Sequence, residues 1–190
     1  MDKIKNILEA SITTKQKALA DEKLIDTIQE VTDMITTAFQ KGKRVYFCGN
    51  GGSAADAQHL AAELSGRFYK DRKALPAEAL HCNTSYLTAV ANDYGYDAAF
   101  ARLVEGITEP GDVLIGFSTS GNSPNILSAF EMAKKREVIT VGFTGESGGK
   151  LKSYSDYLIN IPSVDTPRIQ ECHITIGHII CQLVEEKYFA

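Results

Sequence analysis

No stretch of this sequence approaches the ~20 consecutive apolar residues needed to span a bilayer, so no contact with a membrane is expected. The opening residues, MDKIKNILEASITTKQ, mix charge with isolated apolar positions and have neither the apolar core nor the cleavage site of a secretion signal. The four cysteines, Cys48, Cys82, Cys172 and Cys181, are widely spaced and form no CxxC pair. They read as reduced thiols in a cytoplasmic protein. No run of Lys and Arg occurs, and the formal net charge is -4. Nucleic acid is therefore excluded as a main partner, because a phosphate backbone needs clustered cations. Neither the GxGxxG spacing nor a Gly-Lys-Ser/Thr triplet is present, which argues against a nucleotide. Low-complexity tracts and long linkers are also missing. The 190 residues, 44% hydrophobic and 23% charged, fit one ordinary globular domain over 1–190.

What is present is a repeated design. VYFCGNGGSAADAQHLAAE (Val45 to Glu63) and VLIGFSTSGNSPNILSAF (Val113 to Phe130) each run from an apolar stretch, through a loop of Gly, Ser, Thr and Asn, into a helical pattern. A strand that feeds such a loop into a helix N-terminus makes an anion site, since the first N–H groups of the helix are unpaired and its dipole favours negative charge. The acidic balance of the chain leaves hydroxyls and backbone N–H groups to hold a phosphate. Ser118-Thr119-Ser120-Gly121-Asn122-Ser123 carries four hydroxyls in six residues directly after a strand.

The rest of the chain supplies the frame. Residues 2–41 read as two helices broken at Ala20-Asp21, with Asp21 a candidate N-cap. In the second helix Leu24, Ile28, Val31, Ile35 and Phe39 form an apolar stripe, which fits packing on its own domain, on another subunit, or both. Strands are predicted at 44–48, 77–81, 113–117, 138–143 and 157–161. Helices are predicted at 53–66, 84–91 and 124–135, with a turn at Asn92-Asp93-Tyr94-Gly95. Asp165-Thr166-Pro167 opens a terminal helix to about Lys187. Strands alternating with helices predict an α/β fold: a five-stranded parallel sheet flanked by helices, with an N-terminal helical extension. The ligand belongs at the C-terminal ends of the strands, near the topological switch point.

A second constellation carries acid–base character. His59 and Glu63 are four residues apart on one predicted helix and share a face. Gln170 and His178 are eight apart on the last helix, within about 80° of each other around its axis. If the two helices meet, these four side chains form either a metal site or a base–acid pair of Glu63 and His178. His173 faces another way and reads as structural, and His81 takes no role. Arg67 reads equally as a support of the site or as a surface residue. The segment Phe68–Pro76 carries no recognisable motif.

In order, CGNGGSAADAQHLAAELSGR, ANDYGYD, GFSTSGNSPNI, TGESGGK and RIQECHITIGH resemble the motifs of the phosphoheptose isomerases, within the sugar isomerase (SIS) domain proteins. The resemblance implies a flavodoxin-like three-layer sandwich of the SIS type. It implies isomerisation of D-sedoheptulose 7-phosphate to D-glycero-D-manno-heptose 7-phosphate, the first step towards nucleotide-activated heptose for bacterial lipopolysaccharide or capsule. It further implies that Glu63 and His178 are catalytic and that His59, Glu63, Gln170 and His178 ligate one Zn²⁺ per subunit. Asn50, Gly51, Gly52, Ser53, Glu63, Asn92, Asp93, Ser118, Thr119, Ser120, Ser123 and Gln170 would contact the substrate, in a homotetramer with sites at subunit contacts. Two alternatives accompany this reading. One is an isomerase of another phosphosugar. The other is a non-catalytic SIS protein that binds the replication initiator, a group whose members generally lack the Glu and His found here at 63 and 178.

Overall fold

The computed structural model describes residues 2–190. Helix α1 (Asp2–Leu19) ends where the sequence predicts, and the Asp21 carboxylate caps α2 (Glu22–Gln40) by accepting from the Leu24 N–H at 3.1 Å. The stripe Leu24, Ile28, Val31, Ile35 and Phe39 is buried throughout, so α2 packs on its own core. Helix α1 does not: Ile4, Ile7, Leu8 and Ile12 all remain exposed.

Five parallel strands follow: β1 (Val45–Cys48), β2 (Ala77–Ala79), β3 (Val113–Phe117), β4 (Ile139–Thr144) and β5 (Tyr157–Asn160), side by side in the order β2-β1-β3-β4-β5. This is the flavodoxin-like order, whose switch point lies between β1 and β3. There the chain leaves β1 for the β2 edge and returns on the other side of β1, opening a crevice above the strand ends. The interior strands β1 and β3 are buried at every residue, which is why they read as continuous apolar runs rather than alternating ones.

Helices α3 (Gly52–Ser65) and α7 (Thr166–Tyr188) join α2 on one face of the sheet, over Phe47, Ile115, Phe117 and Phe143. Helices α5 (Ala99–Ile107) and α6 (Pro124–Lys135) cover the other, over Tyr46, Cys48 and Leu114. The result is the expected three-layer α/β sandwich.

Three local expectations are corrected. Helix α4 (Thr84–Tyr94) runs on through Asn92 and Asp93, which lie in its last turn and not in a free turn. Asn83 caps its start by accepting from the Tyr86 N–H, and Gly95, at φ 85°, ends it three residues later than the Asn-Asp pair suggested. Strand β2 stops at Ala79, because this edge strand pairs only with β1 and the ladder ends there; His81 lies beyond it. Helix α5 has no counterpart in the sequence reading.

Candidate active site

Both Gly/Ser loops sit in the crevice above β1 and β3, as their positions require. The second loop is folded on itself. The Ser118 and Ser123 hydroxyls lie 2.9 Å apart, and the Gly121 N–H donates to the Ser118 carbonyl. Ser123 occupies the N-cap position of α6, yet its hydroxyl does not cap the helix. It faces Ser118, at the mouth of the α6 N-terminus, where a dipole end and several hydroxyls combine into a fit for phosphate. Gly121 must be glycine: a Cβ there would lie 2.1 Å from the Gly148 carbonyl oxygen, where the turn after β4 closes over the loop.

The two loops are tied by an amide pair. Asn50 Nδ2 donates to Asn125 Oδ1 at 2.9 Å, and Asn125 Nδ2 returns a bond to Asn50 Oδ1 at 2.8 Å. The Tyr96 hydroxyl adds a third bond to Asn50 Oδ1 at 3.0 Å. The Asn50 side chain is thus committed to holding the loops together. Asn125, fully enclosed in the second motif, is the partner that sequence reasoning missed. Gly52 opens α3 beneath the Gln170 amide; a Cβ at Gly52 would stand 2.9 Å from Gln170 Nε2. Asn92 and Asp93 are exposed at the end of α4, with Asn92 Nδ2 donating to Asp93 Oδ1.

Helices α3 and α7 run side by side in the same direction, with Gly52 against Gln170, Leu60 against Gly177 and His59 against His178. Gly177 sets their separation: a Cβ there would lie 2.3 Å from Leu60 Cδ1. One turn of close approach brings His59, Glu63 and His178 together, their ligand atoms all within 4.8 Å of one another. His59 Nε2 is 3.0 Å from Glu63 Oε1 and 3.4 Å from His178 Nε2. The Phe68 ring lies 5.6 Å from that of His178. Burial lowers the pKa of His178, the neighbouring His59 lowers it further, and Glu63 opposes both. His173, by contrast, is sealed between Phe117 and Phe143 and bonded to the Thr144 carbonyl, a structural residue as expected.

The donor set fits a divalent cation. Two imidazole nitrogens facing each other can share only one proton, whereas a cation satisfies both nitrogens and the carboxylate at once. Tetrahedral Zn²⁺ with Zn–N near 2.0–2.1 Å requires ligand atoms about 3.3 Å apart, close to the 3.0 and 3.4 Å from His59 Nε2 to Glu63 and His178. Gln170, expected as a fourth ligand, is not brought to this cluster within one chain: it stands two turns, about 12 Å, before His178, with its amide against Gly52.

The family model for the SIS domain matches residues 3–145. The phosphoheptose isomerase of Clostridium acetobutylicum is 52% identical over 190 residues, covering 98% of this chain and 97% of that protein. The chain belongs to the phosphoheptose isomerase family of SIS domains. Among solved structures of this family, that from Francisella tularensis superposes with a TM-score of 0.94 at 35% identity, covering 97% of each chain. The enzyme from Neisseria gonorrhoeae gives 0.92 at 38%, covering 97% of this chain and 98% of that one. Arg67 stays exposed just after α3, whereas the side chain of Arg72, five residues on, is only 3% exposed.

Proposed function

We infer that this chain is an aldose–ketose isomerase that converts D-sedoheptulose 7-phosphate into D-glycero-D-manno-heptose 7-phosphate, supplying nucleotide-activated heptose for surface glycans. The observation that carries this reading is the meeting of Glu63 with His178 and His59, from helices far apart in sequence, in a fold whose loops suit a phosphate. Glu63 takes the proton from C1 of the ketose while His178 protonates the C2 oxygen, giving an enediol. The same proton, returned to C2 as the C1 hydroxyl gives up its own to His178, completes the aldose and restores both groups. The Ser118–Ser123 loop and the α6 N-terminus grip the phosphate, with Asn50, Gly51, Gly52, Ser53, Asn92, Asp93 and Gln170 around the sugar.

His59, Glu63 and His178 would hold one Zn²⁺ per subunit; Gln170, about 12 Å back along α7 with its amide against Gly52, would reach such an ion only from a neighbouring copy. A bound cation would stabilise negative charge on the sugar oxygens. A carboxylate held tightly by metal is a weaker base, so the two roles of Glu63 compete.

A homotetramer with sites at subunit contacts belongs to the same reading. The exposed Ile4, Ile7, Leu8 and Ile12 of α1 support it, as does an apolar groove of about 270 Å³ lined by Leu19, Leu24, Ile28, Ile176 and Ile179. Glu63 lies eleven residues along α3 from Gly52, about 16 Å at ~1.5 Å per residue. That is longer than a seven-carbon chain, which favours a site shared with a neighbouring copy. No helix among the described residues is long and apolar enough to cross a membrane, and all four cysteines are free thiols. Both fit a cytoplasmic enzyme. The test is a direct assay of sedoheptulose 7-phosphate isomerisation, with metal content and light-scattering mass measured on the same sample. A metal-loaded tetramer without turnover would refute the reading.

A further inference from the structure

The stretch after α3, residues 66–73, is anchored by a buried ion pair outside the catalytic cluster. Arg72 Nε donates to Glu185 Oε2 at 2.8 Å, with side chains 3% and 1% exposed. Glu185 sits on α7 seven residues after His178, on the same helical face. Its carboxylate also accepts from the backbone N–H groups of Lys70 at 2.7 Å, Tyr69 at 2.9 Å and Phe68 at 3.2 Å. Burial works against this charge, but the Lys70 N–H, the Arg72 guanidinium and the Phe68 and Tyr69 N–H groups outweigh it and hold the carboxyl below its ordinary range.

The other end of Arg72 is fixed to the helix that carries Glu63. Arg72 Nη2 donates to the Glu63 carbonyl at 2.8 Å, and Nη1 to those of Leu64 at 2.7 Å and Gly66 at 3.1 Å. The last carbonyls of a helix lack partners within it, and its C-terminus favours a cation. No basic residue of α3 occupies its own last turn, so Arg72 supplies that cation from outside. One guanidinium fork therefore pins the backbone of Glu63 to Glu185, while Glu185 holds the irregular segment that lays Phe68 against His178.

We propose that Arg72 and Glu185 are positioning residues of the isomerase, fixing Glu63 and the ring of Phe68 against His178 so that base and acid keep their relative placement. This rests on the assignment of Glu63 and His178 above. Neither residue touches the reacting atoms, so their loss acts on the chemical step more than on substrate binding.

Alanine at either position would strand a buried charge and test folding instead. Arg72→Lys keeps the charge but loses the fork, and Glu185→Gln keeps shape and an acceptor oxygen. For each, kcat per folded molecule is expected to fall about ten- to a hundredfold, the range for misplacement of about 1 Å, with KM changed less than twofold. In a Glu63→Asp background, where the carboxylate is already displaced, the further loss should be smaller than in the wild type. Arg136→Lys serves as a control at the opposite end of the sheet, where the guanidinium donates to the Thr108 carbonyl, and should leave kcat unchanged. A merely structural pair would lower the melting temperature and leave kcat per folded molecule intact; that result in both variants overturns the proposal. If Arg72→Lys does not fold, kcat of Glu185→Gln alone decides between the two. Glu63→Gln in the same assay separates the two failures. An active Glu63→Gln removes the base itself, whereas an inactive one beside fully active Arg72→Lys and Glu185→Gln overturns the positioning only.

Discussion

Replacing Gly177 by alanine would place a methyl carbon 2.3 Å from Leu60 Cδ1 and 3.1 Å from Leu60 Cγ. Carbon atoms pack at about 3.5–4.0 Å, so one side must give way by a little over 1 Å. Leu60 is fully buried, and the void beside it and Gly177 measures about 10 Å³, barely the size that admits one water. The strain therefore falls on the separation of α3 and α7. Overpacking of this kind costs about 1–3 kcal/mol, while alanine in place of glycine inside a helix returns about 1 kcal/mol. The net loss of stability is small, roughly 0–2 kcal/mol, or a few degrees in melting temperature. Activity should suffer far more, because the same seam sets His178 against His59 and Glu63. A displacement near 1 Å predicts a fall of about a hundredfold in kcat. The assay is kcat per folded enzyme beside a denaturation curve, with Leu60→Val added as a second change to relieve the clash. Folded Gly177→Ala enzyme with undiminished kcat would refute the argument, as would a loss that Leu60→Val fails to restore in part.

Other consequences follow from the same geometry. Ser120→Ala with Ser123→Ala should raise KM for the phosphosugar more than tenfold with a smaller effect on kcat, and unchanged affinity by calorimetry would reject the phosphate assignment. Asn125→Ala removes both amide bonds that join the loops and leaves Asn50 without its partner; thermal unfolding should show a loss of about 1–3 kcal/mol together with weakened substrate binding. His173 predicts a pH effect on stability. Burial pushes its pKa down to about 4, partly opposed by the bond to the Thr144 carbonyl, while the unfolded side chain titrates near 6.5. The unfolded state thus binds the proton first. Stability should be flat with respect to this group above about pH 6.5 and fall by ~1.4 kcal/mol per unit between there and about 4. Urea midpoints of His173→Gln should lack that one-proton component.

Much of this architecture is legible along the chain because it depends on local pattern. The runs VYFC and VLIGF could only be interior strands, the hydroxyl-rich loops follow them, and His59 with Glu63 is a simple helical spacing. What escapes such a reading depends on tertiary contact. Gly177 is an ordinary glycine in a helical segment until Leu60 is set opposite it. Glu185 looks like one of several charges near the end of a surface helix, and Arg72 falls in a segment without a motif. Nothing local predicts that they meet across more than a hundred residues. Asn92 and Asp93 read as a turn because both residue types tolerate one, whereas the cap at Asn83 and the positive φ of Gly95 decide the helix length. Helix α5 is only nine residues long and follows directly on a short 3-10 turn, too little length for periodicity to stand out.

The most direct test of the central claim is the rate of sedoheptulose 7-phosphate isomerisation by the wild-type chain and by Glu63→Gln, with phosphosugar binding measured on both. The account predicts turnover by the wild type and none detectable in Glu63→Gln, which still binds the sugar phosphate. Isomerisation by Glu63→Gln at the wild-type rate would contradict it.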